Sequence, residues 1–393
     1  MNKDDRIMPS FYGSTALMYV IGGLGYGIFL LFSGIEPVHQ LCCFILFMEL
    51  IVVWQEINYL TAVKDYKGIL LTFLMAVVAG LAAGYLLVRA GADPVLSLFG
   101  CVIIAYGIML VWYYRLLIQY FPQGRGTSLA FMEWIDRYPQ LMGVGTCIGI
   151  GLYIHLILMW ASPIGVQIKG LFYSAPGYDV PALFAFLSIL ITTINFVTSV
   201  EVNFYPKYQI YFGLFNHGGT LIDIENARDD MIETLLKELS YAFAKQFFAT
   251  VVFIVGGTLL IPRLPFGFTE EMLGIYRVLC VGYAFYATGN CIMLMSLYFA
   301  DNVGALLSSV VYAVCSVLGT WFTMNGDSRY YGFGFLIAGI IFTATALMRL
   351  ISYLKKLDYH VISKQPLIQS KKTGPATRLS RKLEERYCEK EKI

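Results

Sequence analysis

The run Gly68–Val88, GILLTFLMAVVAGLAAGYLLV, contains no charged side chain and no proline. At 1.5 Å of rise per residue, a helix of this length matches the roughly 30 Å hydrocarbon core of a bilayer, so the run reads as a membrane span. The isolated glycines within it are what membrane helices use for close backbone approach. Similar runs recur on both sides: Thr15–Phe32, Leu41–Asn58, Val95–Tyr114 and Gln140–Ala161, then Pro181–Val200, Phe243–Ile261, Leu273–Leu297, Gly304–Met324 and Tyr331–Ile351. The expected fold is all-α and integral to a membrane, with about ten transmembrane helices.

Composition agrees. Of 393 residues, 58% are hydrophobic and 14% charged, where a soluble domain carries roughly 25% charge. The first apolar run begins near Ser14, is long enough to span and has no small-residue cleavage site after it, which predicts an uncleaved first helix. Eight cysteines are present without a CxxC, and most lie inside apolar runs, as small core residues do.

Lysine and arginine placement sets the expected orientation. With the N-terminus in the cytoplasm, the inside segments hold Lys3, Arg6, Lys64, Lys67, Arg125, Arg137, Lys207, Arg228 and Lys237, and the tail adds Lys355, Lys356, Lys371, Lys372, Arg378, Arg381 and Lys382. The outside loops hold single charges, Arg89, Lys169, Arg263 and Arg329. Both termini are expected inside a cytoplasmic membrane crossed many times. Trp54, Trp112, Trp160 and Trp321 fall near span ends, where interface anchors sit.

Three polar segments organise the chain. Residues 121–139, with Gly124-Arg125-Gly126 and Glu133-Trp134-Ile135-Asp136-Arg137, read as a cytoplasmic linker between a first bundle (1–120) and a second (140–353). Within the second, 220–240 has Ile224, Ala227, Met231, Leu235 and Leu239 at helical spacing, Glu225, Asp229 and Glu233 on another face, and Thr220 with Asp223 as a capping box. It reads as an amphipathic helix on the cytoplasmic interface. Residues 354–393 form a basic cytoplasmic tail suited to an anionic membrane surface.

Soluble-enzyme chemistry is missing from the sequence. There is no GxxxxGK[ST], HExxH or GxSxG, and His39, His155, His217 and His360 are scattered. No cofactor or metal is expected, and the basic tail lacks the interleaved aromatics that nucleic acid would ask for. The acids Asp223, Glu225, Asp229 and Asp230, a conceivable metal cluster for a lipid-linked-sugar transferase, are spaced as a solvated helix face.

Polar groups at membrane depth are expensive and normally face a cavity or a partner. Glu49 lies in mid-span, and Glu56 follows two helical turns on, so both project from one face. His155 sits within Leu152-Tyr153-Ile154-His155-Leu156, Glu201 closes the sixth span, and Arg277 begins the eighth. For His155 the alternative is a satisfied core histidine; for Glu56 and Glu201, a wet membrane boundary; for Arg277, snorkelling. Together the acids suggest a cavity of negative character that favours a cationic substrate or a proton.

The stretch Glu201-Val202-Asn203-Phe204-Tyr205-Pro206-Lys207-Tyr208-Gln209-Ile210-Tyr211, followed by an amphipathic helix ending at Lys245-Gln246, resembles the PelG family. Ser174-Ala175-Pro176-Gly177-Tyr178-Asp179 and Ala62-Val63-Lys64-Asp65-Tyr66-Lys67 are similar to segments of that family, and the likeness runs from about Asp5 to about Lys356. The resemblance implies an inner-membrane component of an exopolysaccharide system, related to the multidrug/oligosaccharidyl-lipid/polysaccharide exporters with their two six-helix bundles. It implies a polysaccharide or lipid-linked sugar substrate rich in amino sugars. It also implies two partners, a cytoplasmic glycosyltransferase and a membrane-bound regulatory subunit that binds cyclic di-GMP. Twelve spans are implied and ten counted, so the first bundle is expected to be short by about two helices.

The expected function is a non-enzymatic transporter subunit, with Glu49, Glu56, His155, Glu201, Tyr205, Tyr208 and Arg277 as substrate-path candidates. Tyrosine faces suit the C–H side of pyranose rings, and equally suit a membrane interface. The alternatives are a non-transporting scaffold that anchors and activates a synthase, a lipid-linked-sugar transferase, and a drug or ion antiporter.

Overall fold

A computed structural model describes residues 7–122, 124, 128–265, 267–363 and 374–390; Lys3, Arg6, Arg125, Lys371 and Lys372 of the charge pattern lie outside the described residues. Among the described residues the regular structure is helical apart from one small hairpin, β1 (Val166–Lys169) and β2 (Phe172–Ser174). It divides into two compact units: Met1–Tyr138 with Gln167–Phe172 and Lys371–Ile393, and Pro139–Val166 with Tyr173–Ser370.

The first unit contains α1 (Ile7–Phe32), α2 (Pro37–Val63), α3 (Tyr66–Arg89), α4 (Pro94–Tyr120), the short α5 (Met132–Arg137) and the tail helix α15 (Pro375–Lys390). Local chemistry explains the boundaries. Asp65 accepts from the Gly68 N–H (2.9 Å) to start α3, and Asp93 accepts from Val95 and Leu96 (3.0 and 3.1 Å) ahead of Pro94 to start α4. Helix α2 packs on α1 and α4, and α3 packs on α4. A Cβ added at Gly80 of α3 would meet the Cys101 carbonyl of α4 at 2.6 Å, so only glycine allows that approach. Outward residues such as Leu31, Leu71, Val78 and Leu98 are exposed, as lipid-facing side chains should be.

The tail is tied to the linker. Asp136 of α5 accepts from the backbone of Ala376 (3.3 Å) and Thr377 (2.7 Å) and from the Thr377 hydroxyl (2.6 Å), capping α15. These bonds, the hydroxyl foremost, hold the Asp136 carboxyl below the usual aspartate range.

The second unit contains α6 (Pro139–Trp160), α7 (Pro176–Phe186), α8 (Leu190–Ser199), α9 (Tyr205–His217), α10 (Leu221–Leu260), α11 (Glu270–Tyr298), α12 (Asn302–Met324), α13 (Phe333–Leu354) and α14 (Leu357–Ser363). Helices α11, α12 and α13 pack mutually, α6 lies on α12, and α7 and α10 lie on α11. Gly334 and Gly319 face each other between α13 and α12, where a Cβ at Gly334 would sit 2.2 Å from the Gly319 carbonyl carbon.

Among the described residues, nine helices are long and apolar enough to cross a membrane, which makes this an all-α, multi-pass integral membrane protein. The difference from ten is the expected span Pro181–Val200. A 3₁₀ turn (Leu187–Ile189) separates α7 from α8, and a π turn (Val200–Phe204) separates α8 from α9. Pro206 has no N–H for the Val202 carbonyl, and the wide turn before it accommodates that gap.

The capping box forms as expected: the Thr220 hydroxyl accepts from the Asp223 N–H (3.3 Å), and the Thr220 N–H donates to the Asp223 carboxylate (3.2 Å). The amphipathic segment it begins is the N-terminal half of α10, continuous with the span expected at Phe243–Ile261. Its apolar stripe is covered by protein: Met231 and Leu235 are fully buried with Phe204, Tyr211 and Leu350, and Ile224, Ala227 and Leu239 pack alongside.

Candidate functional site

Glu56 has no accessible surface (0%). It lies on the buried stripe of α2 with Val52, Val53 and Leu60. Val52 belongs to an apolar cluster with Met8, Phe11 and Leu117, and Val53 and Leu60 belong to another with Ala76, Met109 and Tyr113. Neither carboxylate oxygen has a hydrogen-bond partner. Tyr19 of α1 and Tyr113 of α4 lie within electrostatic reach, but the Tyr113 hydroxyl donates to the Ile69 carbonyl (3.0 Å). The adjacent Gln55 takes a 2.5 Å hydrogen bond from Thr15.

Glu49 is half-buried on the same helix, with Oε2 unpartnered. Helix α4 presents Gly107 to it, where an added Cβ would lie 3.3 Å from Oε1. An ionised carboxylate without a partner at this depth costs several kcal/mol. The arrangement can take a proton, a cation or the cationic group of a substrate.

The other expected site residues separate into distinct environments of the second unit. His155 is fully buried (0%) in its main apolar core. Its Nδ1 meets the Tyr178 hydroxyl at 2.9 Å, its Nε2 meets Tyr283 at 3.4 Å, and its ring packs on Phe335 with centroids 4.2 Å apart. This is the geometry of a satisfied core histidine.

Glu201, Tyr205 and Tyr208 cluster at the π turn and the start of α9. Tyr205 stacks on Tyr208 (6.3 Å, 13°), Tyr208 meets Phe212 (4.3 Å), and the Tyr208 hydroxyl reaches the Tyr298 carbonyl at 3.4 Å. Glu238 of α10 closes this corner, accepting from Ser199 and from Asn203 (2.9 Å). Lys207 pairs with Asp230, and Arg228 with Asp358, whose other oxygen accepts from Tyr211 (2.7 Å). Arg277 stands apart, exposed on α11, and donates to Thr258 (3.1 Å).

Three polar positions escaped the sequence reading. Asp301, 4% exposed at its side chain, takes a two-pronged bond from Arg349 (2.7 and 2.9 Å) and caps α12 through the Gly304 N–H (3.2 Å). Arg349 inside the last apolar run was the available signal. Gln246 is buried on α10 and donates to Thr250 (3.0 Å), with its Oε1 unpartnered. Glu238 carried no signal beyond its place on an amphipathic helix. Among the described residues no group of three or more His, Cys, Asp or Glu side chains could hold a metal ion.

A family profile described as "PelG: Putative exopolysaccharide Exporter (EPS-E)" matches residues 1–362. Neither a curated protein nor a solved structure matches the chain.

Proposed function

The chain belongs to the PelG family, a family of exopolysaccharide exporters, and from that premise we propose that it is the subunit through which the polymer itself crosses the cytoplasmic membrane. In this reading it is a transporter and not an enzyme. The observation that carries it beyond family membership is the pair of unpartnered acids, Glu49 and Glu56, inside a membrane-spanning unit. Ionisable residues inside a membrane are rare and costly, and by default they mark a substrate or ion pathway. A polymer rich in free amines is cationic and matches acids of this kind. Glu201, Tyr205 and Tyr208 then shape a mouth, with tyrosine faces offered to sugar rings. His155 drops to a packing role.

The partners in this proposal are a cytoplasmic glycosyltransferase and a membrane-bound subunit that binds cyclic di-GMP. The exposed face Glu225, Asp229 and Glu233 of α10 supports docking to such proteins, and it also favours the second reading, a scaffold that holds a synthase without moving polymer. Purified protein in liposomes, given a fluorescent amino-sugar oligomer on one side, separates the two. Passage without the partners, reduced in Glu49→Gln, is the expected result. No passage, with the synthase still recruited, would establish the scaffold.

A further inference from the structure

Among the described residues, Glu56 is the only carboxylate with both oxygens buried and without a hydrogen-bond partner. Among the described residues, the elements packed around it offer no counter-charge. Helix α1 offers Tyr19, and α4 offers Tyr113. The one cation in the second half of α4, Arg115, is exposed and lies over the Trp112 ring at 5.5 Å. On α2 the nearest ionisable neighbour is Tyr59, one turn on and hydrogen-bonded to Ser14, and the nearest charged group along the face is another acid, Glu49. Helix α3 has Lys67 exposed in its first turn and Arg89 at its last residue, and Asp65 before it is engaged with the Gly68 N–H (2.9 Å).

A carboxylate in such surroundings has three ways to avoid its desolvation cost, binding a substrate amine, a metal cation or a proton, and with no accessible surface Glu56 admits no sugar amine in this conformation. A bare cation needs several oxygen ligands in place of its hydration shell. Among the described residues no group of three or more His, Cys, Asp or Glu side chains exists here to supply them. A proton needs one oxygen.

We propose that Glu56 is a proton-carrying site, loaded in the conformation described here and discharged when a rearrangement of the first unit wets it, so that polymer movement is coupled to proton movement. The coupling step rests on the transporter reading; the proton site does not. Oxygen Oε1 or Oε2 gains a hydrogen in the sealed state and returns it to water in the open state, with no other bond made or broken.

The first measurement is infrared spectroscopy of the purified full chain at neutral pH. The expected result is a protonated-carboxyl C=O band at the high-frequency end, where acids without hydrogen bonds absorb, lost in Glu56→Gln and kept in Glu49→Gln. A spectrum that Glu56→Gln leaves unchanged overturns the site. A band bleached by sodium chloride but not by choline chloride overturns it in favour of a metal cation.

The second measurement is secreted polymer in cells, with membrane protein levels matched. Glutamine copies the neutral acid in shape but cannot release a proton. Glu56→Gln should therefore fall to the level of cells lacking the chain, while Glu56→Asp keeps part of the export. Wild-type export from Glu56→Gln, with the infrared band present in the parent, overturns the coupling and leaves a static buried acid. Failure of the transporter reading shows separately, as absence of oligomer passage through liposomes with the Glu56 band intact.

Discussion

Glu56 and His155 are both polar groups with no accessible surface, yet they make opposite demands on the protein. His155 has a tyrosine hydroxyl at each ring nitrogen. His155→Ala removes the ring from the core and orphans both hydroxyls, so a loss of about 3 kcal/mol or more is expected. Thermal unfolding in detergent reports it, and export per surviving molecule should stay near normal; a stable variant with lost export would put His155 back on the pathway. Glu56 has nothing to lose on that account. Glu56→Leu should leave the unfolding midpoint unchanged or raise it, because an apolar side chain replaces an unpartnered acid, while export disappears. A large drop in midpoint would mean that Glu56 has a partner in the native membrane. The depth of His155 was legible in the sequence, because it sits inside a long apolar run, whereas for Glu56, close to the end of its run, a wet membrane boundary stayed open. The partners of His155 were not legible: Tyr178 and Tyr283 come from 23 and 128 residues away, and the rotation of a helix is set by the neighbours it packs on.

At the scale of elements, what is local in sequence was readable and what depends on long-range packing was not. The capping box at Thr220 and Asp223 needs only residues three apart, and it forms. The stripe beginning at Ile224 was equally visible, but periodicity alone does not say whether lipid or protein covers an apolar face; here Phe204, Tyr211 and Leu350 do so. The sixth apolar run is divided by the 3₁₀ turn at Leu187–Ile189, and the π turn that closes it goes with Pro206, six residues beyond the expected span. Asp301 and Arg349 lie 48 residues apart and were invisible as a pair. Asp301→Ala should cost about 3 kcal/mol, since it strips Arg349 of its partner and α12 of its cap; chemical unfolding compared with Arg349→Lys, a milder change, measures it. The Asp136–α15 clasp answers to pH. Its carboxyl is held below the usual aspartate range, so the contribution is complete above about pH 4 and is lost as pH falls through the lower folded value. Protease cleavage between residues 374 and 383 should rise several-fold in acid, and Asp136→Asn should show the acid pattern at neutral pH; equal cleavage at both pH values would mean that the tail is held by other contacts.

The whole molecule poses a parity question. The nine spanning helices among the described residues put the two termini on opposite sides of a membrane, whereas ten crossings put them on the same side. Among the described residues, the candidate for a tenth crossing is the divided segment, α7 through α8. Broken helices at membrane depth are stable where protein covers the freed backbone groups, and α7 is so covered, with Tyr178, Ala182 and Ala185 buried in the core of the second unit. The charge asymmetry of the loops argues the same way, since Lys64 and Lys67 fall on one side with Lys207, Arg228 and Lys237 only if that segment crosses. Helix α10, 40 residues long, measures about 60 Å, twice the hydrocarbon thickness. Its N-terminal half would then emerge on the side of both termini and carry Glu225, Asp229 and Glu233 to soluble partners. Reporters that mature only in the cytoplasm, fused before Ile7 and after Ser363, should both be active, and a cysteine at Thr234 should react only with reagents that cross the membrane. An inactive C-terminal reporter would mean nine crossings. The α7–α8 segment would then be re-entrant, entering and leaving on one face of the membrane.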